Sequence, residues 1–80
     1  MPHDHVTSGR LETGRRIRDA RTRARLSQEQ LAELLEVERR TVVRYELALT
    51  DLPLSRLLQI AQALRVPPGD LLPEAPPPPP

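Results

Sequence analysis

The chain has 80 residues, a formal net charge of +1 and a hydrophobic fraction of 38%. That length holds one domain with a small core, and no segment matches a membrane span or the apolar centre of a secretory signal. Cysteine is absent, which excludes disulfides and thiolate metal sites, and we expect a cytoplasmic protein.

Residues 1–9 are polar and lack periodicity, which predicts a disordered N-terminal arm. His3, Asp4 and His5 invite a metal hypothesis, but a mobile terminus does not preorganise ligands, and Pro2 lacks the amide hydrogen that a copper chelate would lose. We therefore expect no metal site and no cofactor.

An arginine-rich helix is predicted next. Ile17, Ala20, Arg21 and Ala24 share one inward stripe, so Arg21 requires a buried partner. The cations of residues 10–25 outnumber Glu12 and Asp19 and are all arginine: Arg10, Arg15, Arg16, Arg18, Arg21, Arg23 and Arg25. They form either a solvated surface or, as a group, a positively charged side of the domain.

Two short helices joined by a tight corner are predicted over residues 27–46. Ser27 and Gln30 form a capping box, and Leu31, Leu34 and Leu35 make one apolar stripe. In the second helix, Val42, Tyr45 and Glu46 lie on one side. The opposite side, called here the arginine face, carries Arg39, Arg40, Val43 and Arg44.

The remaining segments are predicted to be scaffold and tails. Pro53 precedes a helix with a core-facing period, and the loop of residues 47–53 carries leucines that could contact a second subunit. Leu71 and Leu72 either close the core or meet such a subunit. The prolines of residues 76–80 favour an extended solvated tail over an arm that docks to an SH3-like groove. The core-facing residues predicted for the helix after Pro53 are Leu54, Leu57, Leu58, Ala61 and Leu64, and the leucines of the loop over residues 47–53 are Leu47, Leu49 and Leu52.

The order Ser-Gln-x-x-Leu-Ala, then Val37, Val42 and Tyr45-Glu46, resembles the Cro and phage-repressor helix-turn-helix family, often called XRE-type. Flanking segments extend this resemblance over about residues 11–72. It implies an all-α, compact bundle of about five short helices as a DNA-binding domain over residues 10–73, followed by a proline-rich tail over residues 74–80.

The resemblance also implies roles for individual residues. The helix at about 38–47 would enter the major groove, with the arginine face (Arg39, Arg40, Val43 and Arg44) at base edges, because arginine matches guanine acceptors and valine a thymine methyl. Gln28 and Thr41 would contact phosphates, with Arg10 as a further phosphate contact from the arm. Arg21 and Glu46 would form a structural ion pair.

The sequence departs from the family in two respects. Corners that commonly hold glycine fall here on Arg25, Glu36, Ala48 and Arg65, and each would be strained if it keeps a positive φ. Glu38 stands where a small hydroxyl residue often caps the recognition helix. A carboxylate there is tolerable if it caps amides or accepts from a cytosine amine.

We expect a sequence-specific transcriptional regulator, a repressor that binds double-stranded DNA as a homodimer. One alternative is an antitoxin or accessory protein of a toxin-antitoxin, phage or plasmid module, whose partner is a protein such as a toxin or regulator. Another is an interaction module that binds no DNA, which the acidic residues Glu29, Glu33, Glu36 and Glu38 favour. An enzyme is not expected, because histidine is confined to the N-terminal arm and no glycine-rich phosphate loop is present.

Overall fold

The computed structural model describes residues 2–74, with side chains from Thr7 onward. Its helices are α1 (Pro2–Arg23), α2 (Gln28–Leu35), α3 (Arg39–Glu46) and α4 (Leu54–Leu64), followed by a 3₁₀ turn (Pro68–Leu71). The predicted all-α bundle is confirmed. The side chains of His3, Asp4 and His5, and the prolines of residues 76–80, lie outside the described part, and with them the expectations placed on them.

The first helix is longer than the sequence predicts. A disordered arm is predicted over residues 1–9, whereas α1 starts at Pro2. Proline is well suited to the first turn of a helix, and only two strong helix-weakening residues, Gly9 and Gly14, lie between Pro2 and the core-facing Ile17. A helix that the core already holds at Ile17 can therefore extend toward the terminus without a new nucleation step.

Every element contributes one of the largest fully buried side chains, so the core is a junction of all five. These side chains are Ile17, Leu31, Val42, Ile60 and Leu71. Leu71 thus closes the core, while Leu72 stays exposed. Leu34, Leu54 and Leu58 are also exposed, contrary to the predicted stripes, because the neighbouring helices cover a narrower sector of α2 and α4 than the apolar period spans.

Side-chain caps hold α2 at both ends. Ser27 Oγ accepts from the amide of Gln30 at 3.0 Å, and Gln30 Oε1 accepts from the amide of Ser27 at 2.8 Å, which completes the predicted capping box. At the other end, Arg56 of α4 donates to the carbonyl oxygen of Leu35 at 3.1 Å. That contact places a cation at the negative end of the α2 dipole.

All four corners that the resemblance singles out have positive φ: 60° at Arg25 and 57° at Glu36, Ala48 and Arg65. At each, the amide of the following residue donates to a carbonyl five residues back, as in a Schellman motif. The bonds are Leu26 to Arg21, Val37 to Ala32, Leu49 to Arg44 and Val66 to Ala61, at 2.9–3.1 Å. All four helices therefore end in the same way, with one left-handed residue followed by a hydrogen bond to a carbonyl five residues back.

Gly14 allows α1 to touch α3 at the backbone. A Cβ atom at this position would collide with the carbonyl oxygen of Glu46 and would lie 2.9 Å from that of Tyr45. Such a distance is unattainable for a real side chain, so the residue must be glycine for the two helices to pack as they do. The C-terminal end of α3 is thereby seated directly on α1.

Candidate nucleic-acid interface

The two sides of α3 have opposite environments. Val42, Tyr45 and Glu46 are buried against the rest of the domain. Arg39, Arg40 and Arg44 are exposed, and Val43 between them is half-buried. The arginine face therefore points away from the core.

Glu46 and Arg21 form the ion pair that the sequence predicts. Arg21 Nε lies 2.6 Å from Glu46 Oε2, and Arg21 Nη2 donates to Glu46 Oε1 at 3.1 Å. The Arg21 side chain also donates from Nη1 to the carbonyl of Leu26 at 2.8 Å. Since the Glu46 side chain is only 2% exposed and that of Arg21 14%, the pair fixes α3 to the end of α1 from within.

Gln28 extends this pair toward the arginine face. Its Nε2 donates to Glu46 Oε1 at 3.1 Å, and its Oε1 accepts from Arg39 Nη2 at 3.4 Å. A hydrogen-bonded chain thus runs from the buried carboxylate to an exposed arginine. The phosphate role of Gln28 stays a prediction, and the structure gives its side chain an internal positioning role that the sequence did not indicate.

A groove between α1 and α3, called here the α1–α3 groove, adjoins the arginine face. Arg15 and Arg18 of α1 line it together with Val43, and the Arg21–Glu46 pair lies along it. Leu11, Gln28 and Leu47 complete the lining. From the sequence, Arg15 and Arg18 are named only as members of the arginine group of residues 10–25 and receive no separate role, although positions 11, 15 and 18 follow a helical period that could have revealed a common side.

The other arginines of α1 have different surroundings. Arg16 pairs with Glu12 and donates to the carbonyl of Asp70, so it tethers the terminal turn. Arg10 lies 3.4 Å from Asp51 in the loop after α3 and lines a cavity separate from the α1–α3 groove. The structure therefore groups Arg15 and Arg18, and not Arg10, with the arginine face, and the phosphate role of Arg10 stays a prediction.

The N-terminal end of α3 carries an acidic side chain next to the arginine face. Glu38 precedes the helix but makes no capping hydrogen bond with its side chain. Instead, Glu38 Oε2 lies 2.8 Å from Arg40 Nε, and both side chains are more than 70% exposed. Together with Arg39 and Val43 they line a shallow concavity, and Thr41 is half-buried beside them.

No described helix combines the length and the apolar content that crossing a bilayer requires. No curated protein sequence matches the chain.

Comparisons with solved structures identify relatives of this fold. The restriction-modification controller protein C.AhdI from Aeromonas hydrophila is 36% identical, with a TM-score of 0.73 over 76% of this chain and 92% of that protein. The DNA-binding domain of BldD is 26% identical, with a TM-score of 0.77 over 84% of this chain and 97% of that domain.

A third likeness is to part of an enzyme. Hydroxypropylphosphonic acid epoxidase from S. wedmorenis is 26% identical with a TM-score of 0.77, but the match covers only 36% of the epoxidase chain. A family model described as helix-turn-helix matches residues 17–71, which include the C-terminal end of α1 from Ile17, all of α2, α3 and α4, and the 3₁₀ turn. The chain therefore belongs to the XRE-type helix-turn-helix family of DNA-binding regulators.

Proposed function

We propose that the protein is a sequence-specific transcriptional repressor that occupies its operator as a homodimer. The observation that carries this proposal is the outward arginine face of α3, held in that orientation by the buried Glu46–Arg21 pair. Three exposed guanidinium groups around a half-buried valine offer donors for guanine and an apolar contact for thymine. Such a surface suits the edges of bases in a major groove.

The surroundings of the arginine face support the docking of α3. With α3 in the major groove, Arg39, Arg40, Val43 and Arg44 contact base edges. Thr41, and Arg15 and Arg18 of the α1–α3 groove, then contact the flanking phosphates, which positions the helix without selecting a sequence.

Exposed leucines support the homodimer. Leu49, in the loop predicted for the dimer contact, is 69% exposed, and Leu54 and Leu58 of α4 are exposed as well. Leu47 of the same loop is 55% exposed but also lines the α1–α3 groove. Leu52 differs from the prediction, since it packs against the core. To occupy a near-palindromic operator, two copies joined through the exposed leucines must hold their α3 helices about 34 Å apart, one turn of the duplex.

Selection from random duplex DNA tests the proposal. The selected sites should be near-palindromic, and Arg40→Ala and Arg44→Ala should each lose about 1–3 kcal/mol of affinity at particular base pairs. Arg65→Ala is the matched control, because Arg65 is an exposed arginine at the end of α4, in neither the arginine face nor the α1–α3 groove. Equal losses on every sequence would reassign Arg40 and Arg44 to phosphate contacts.

A second candidate function is protein interaction without DNA binding. The likeness to about a third of an epoxidase chain supports it, because a fold of this kind there forms part of an enzyme. Binding measurements on unrelated duplexes at physiological ionic strength separate the candidates. No preference among duplexes, combined with co-purification of a small protein partner, would favour the second one.

A further inference from the structure

Glu38 lies next to the arginine face, and its negative charge cannot be explained by attraction to phosphate. Its side chain is 71% exposed and that of the neighbouring Arg40 is 74% exposed, so Glu38 contributes nothing to the core. Glu38 makes no capping hydrogen bond with its side chain, so the helix dipole and the pair with Arg40 are what stabilise an acid at the start of α3. A carboxylate at this place repels DNA phosphates unless a base offers it a donor.

The pair that Glu38 forms with Arg40 has the hydrogen-bonding pattern of one base-pair edge. Glu38 Oε2 and Arg40 Nε are 2.8 Å apart and present an acceptor next to donors. In the major groove, a C·G pair presents the cytosine N4 donor next to the guanine O6 and N7 acceptors. The Glu38 acceptor lies beside the guanidinium donors of Arg40, as the cytosine donor lies beside the guanine acceptors, so the two edges match in order.

We propose that Glu38 and Arg40 recognise a single C·G base pair, with Glu38 accepting from cytosine N4 and Arg40 donating to guanine. Other base pairs oppose this arrangement. Thymine offers Glu38 a methyl group and an acceptor, and guanine offers it two acceptors. An A·T pair does present adenine N6 next to thymine O4, but the N7 lone pair beside the amine repels the carboxylate, and a methyl group replaces the second acceptor that guanine offers Arg40. Glu38 is thus a specificity determinant, and the inference rests on the proposed function.

The test compares base preferences of Glu38→Gln with those of the wild-type protein in the same selection from random duplex DNA. The neutral amide can donate as well as accept, so the preference for one C·G pair should fall about fivefold or more. Binding to unselected DNA should tighten at the same time, since a negative charge is removed. Arg40→Ala should relax the preference at the same base pair.

Glu33→Gln is the control, because it makes the same charge change at an exposed position of α2 outside the shallow concavity of Glu38 and Arg40. It should leave the preference at every base pair unchanged. If Glu38→Gln behaves like this control, or alters a different base pair from Arg40→Ala, the proposed recognition is wrong while the proposed function stands. If the wild-type protein itself shows no base preference, both the proposed recognition and the proposed function are wrong.

Discussion

Glu46 is a buried carboxylate whose two oxygens accept hydrogen bonds from Arg21 and Gln28. Removing a charge from water is costly, and a satisfied buried pair is weak evidence for net stability. Its value here is orientational, because the same carboxylate contacts α1 through Arg21 and α2 through Gln28. The direction of the arginine face is thereby fixed by contacts made below it.

Replacing Glu46 by alanine should destabilise the fold by about 3 kcal/mol, because Arg21 keeps its charge in a nearly closed site without a partner. Thermal unfolding measures this loss, and affinity for a selected operator should fall as well. Glu12→Ala serves as the comparison, since the Arg16–Glu12 pair is partly exposed and such pairs contribute less than about 1 kcal/mol. An unchanged melting temperature for Glu46→Ala would contradict the role given to the pair.

Predictability differs among the residues of the site. The periods of α1 and α3 put Arg21 and Glu46 on inward stripes, and two buried charges of opposite sign require each other. The link from Glu46 through Gln28 to Arg39 was not predictable, because it depends on the distance between α2 and α3. The requirement for Gly14 has the same origin, since it comes from how closely α1 and α3 approach.

At the scale of elements, the helices end in left-handed corners that lack glycine. Each corner residue carries a Cβ atom in a backbone region where that atom is crowded, at about 1 kcal/mol or more per residue. The accompanying bonds to carbonyls five residues back still satisfy the ends of the helices. Correct hydrogen bonding and strain therefore coexist at the same positions.

Ala48→Gly should stabilise the protein by about 0.5–1 kcal/mol, because relief of the left-handed strain exceeds the entropy that glycine adds to the unfolded chain. Ala63→Gly makes the same chemical change inside α4 and should destabilise it by about 1 kcal/mol. Chemical denaturation of both variants measures the two changes in the free energy of unfolding, which should have opposite signs. A loss of stability on Ala48→Gly would show that the corner is not strained.

Sequence patterns located the elements better than their surfaces. The capping box at Ser27 and the apolar period of α4 gave helices that the structure contains. The same period predicted burial of Leu34, Leu54 and Leu58, which are exposed. Periodicity identifies the side of a helix that can be buried, whereas the arrangement of the other helices decides how much of that side is covered.

At the scale of the whole molecule, charge and exposed apolar side chains are unevenly distributed across the described residues. The formal net charge is only +1, yet arginines gather on the arginine face and in the α1–α3 groove, which Leu11 and Leu47 also line. A second surface is formed by Leu49 in the loop after α3 and by Leu54 and Leu58 on α4, which are all exposed. We expect the first surface to meet DNA and the second to meet another copy of the chain.

Leu49→Glu should weaken the homodimer, because it puts a charge on the proposed contact without disturbing the core, where Leu49 has little part at 69% exposure. Sedimentation should show a shift toward monomer, and binding to a two-half-site duplex should lose cooperativity. Leu34→Glu is the control, since Leu34 is 57% exposed on α2 and lies outside this set. A dimer that persists in Leu49→Glu would move the contact elsewhere.

The contact at Gly14 has a consequence for how such a protein can evolve. Because α1 and the carbonyl end of α3 meet at the backbone, a side chain at position 14 would push them apart and change the distance between Arg15 or Arg18 and the residues of α3. The distance between the residues proposed to contact phosphates and those proposed to contact bases is then set by the packing of two backbones. We expect such a protein to acquire a new operator by exchange of the exposed residues of α3, while the proposed phosphate contacts of Arg15 and Arg18 are kept.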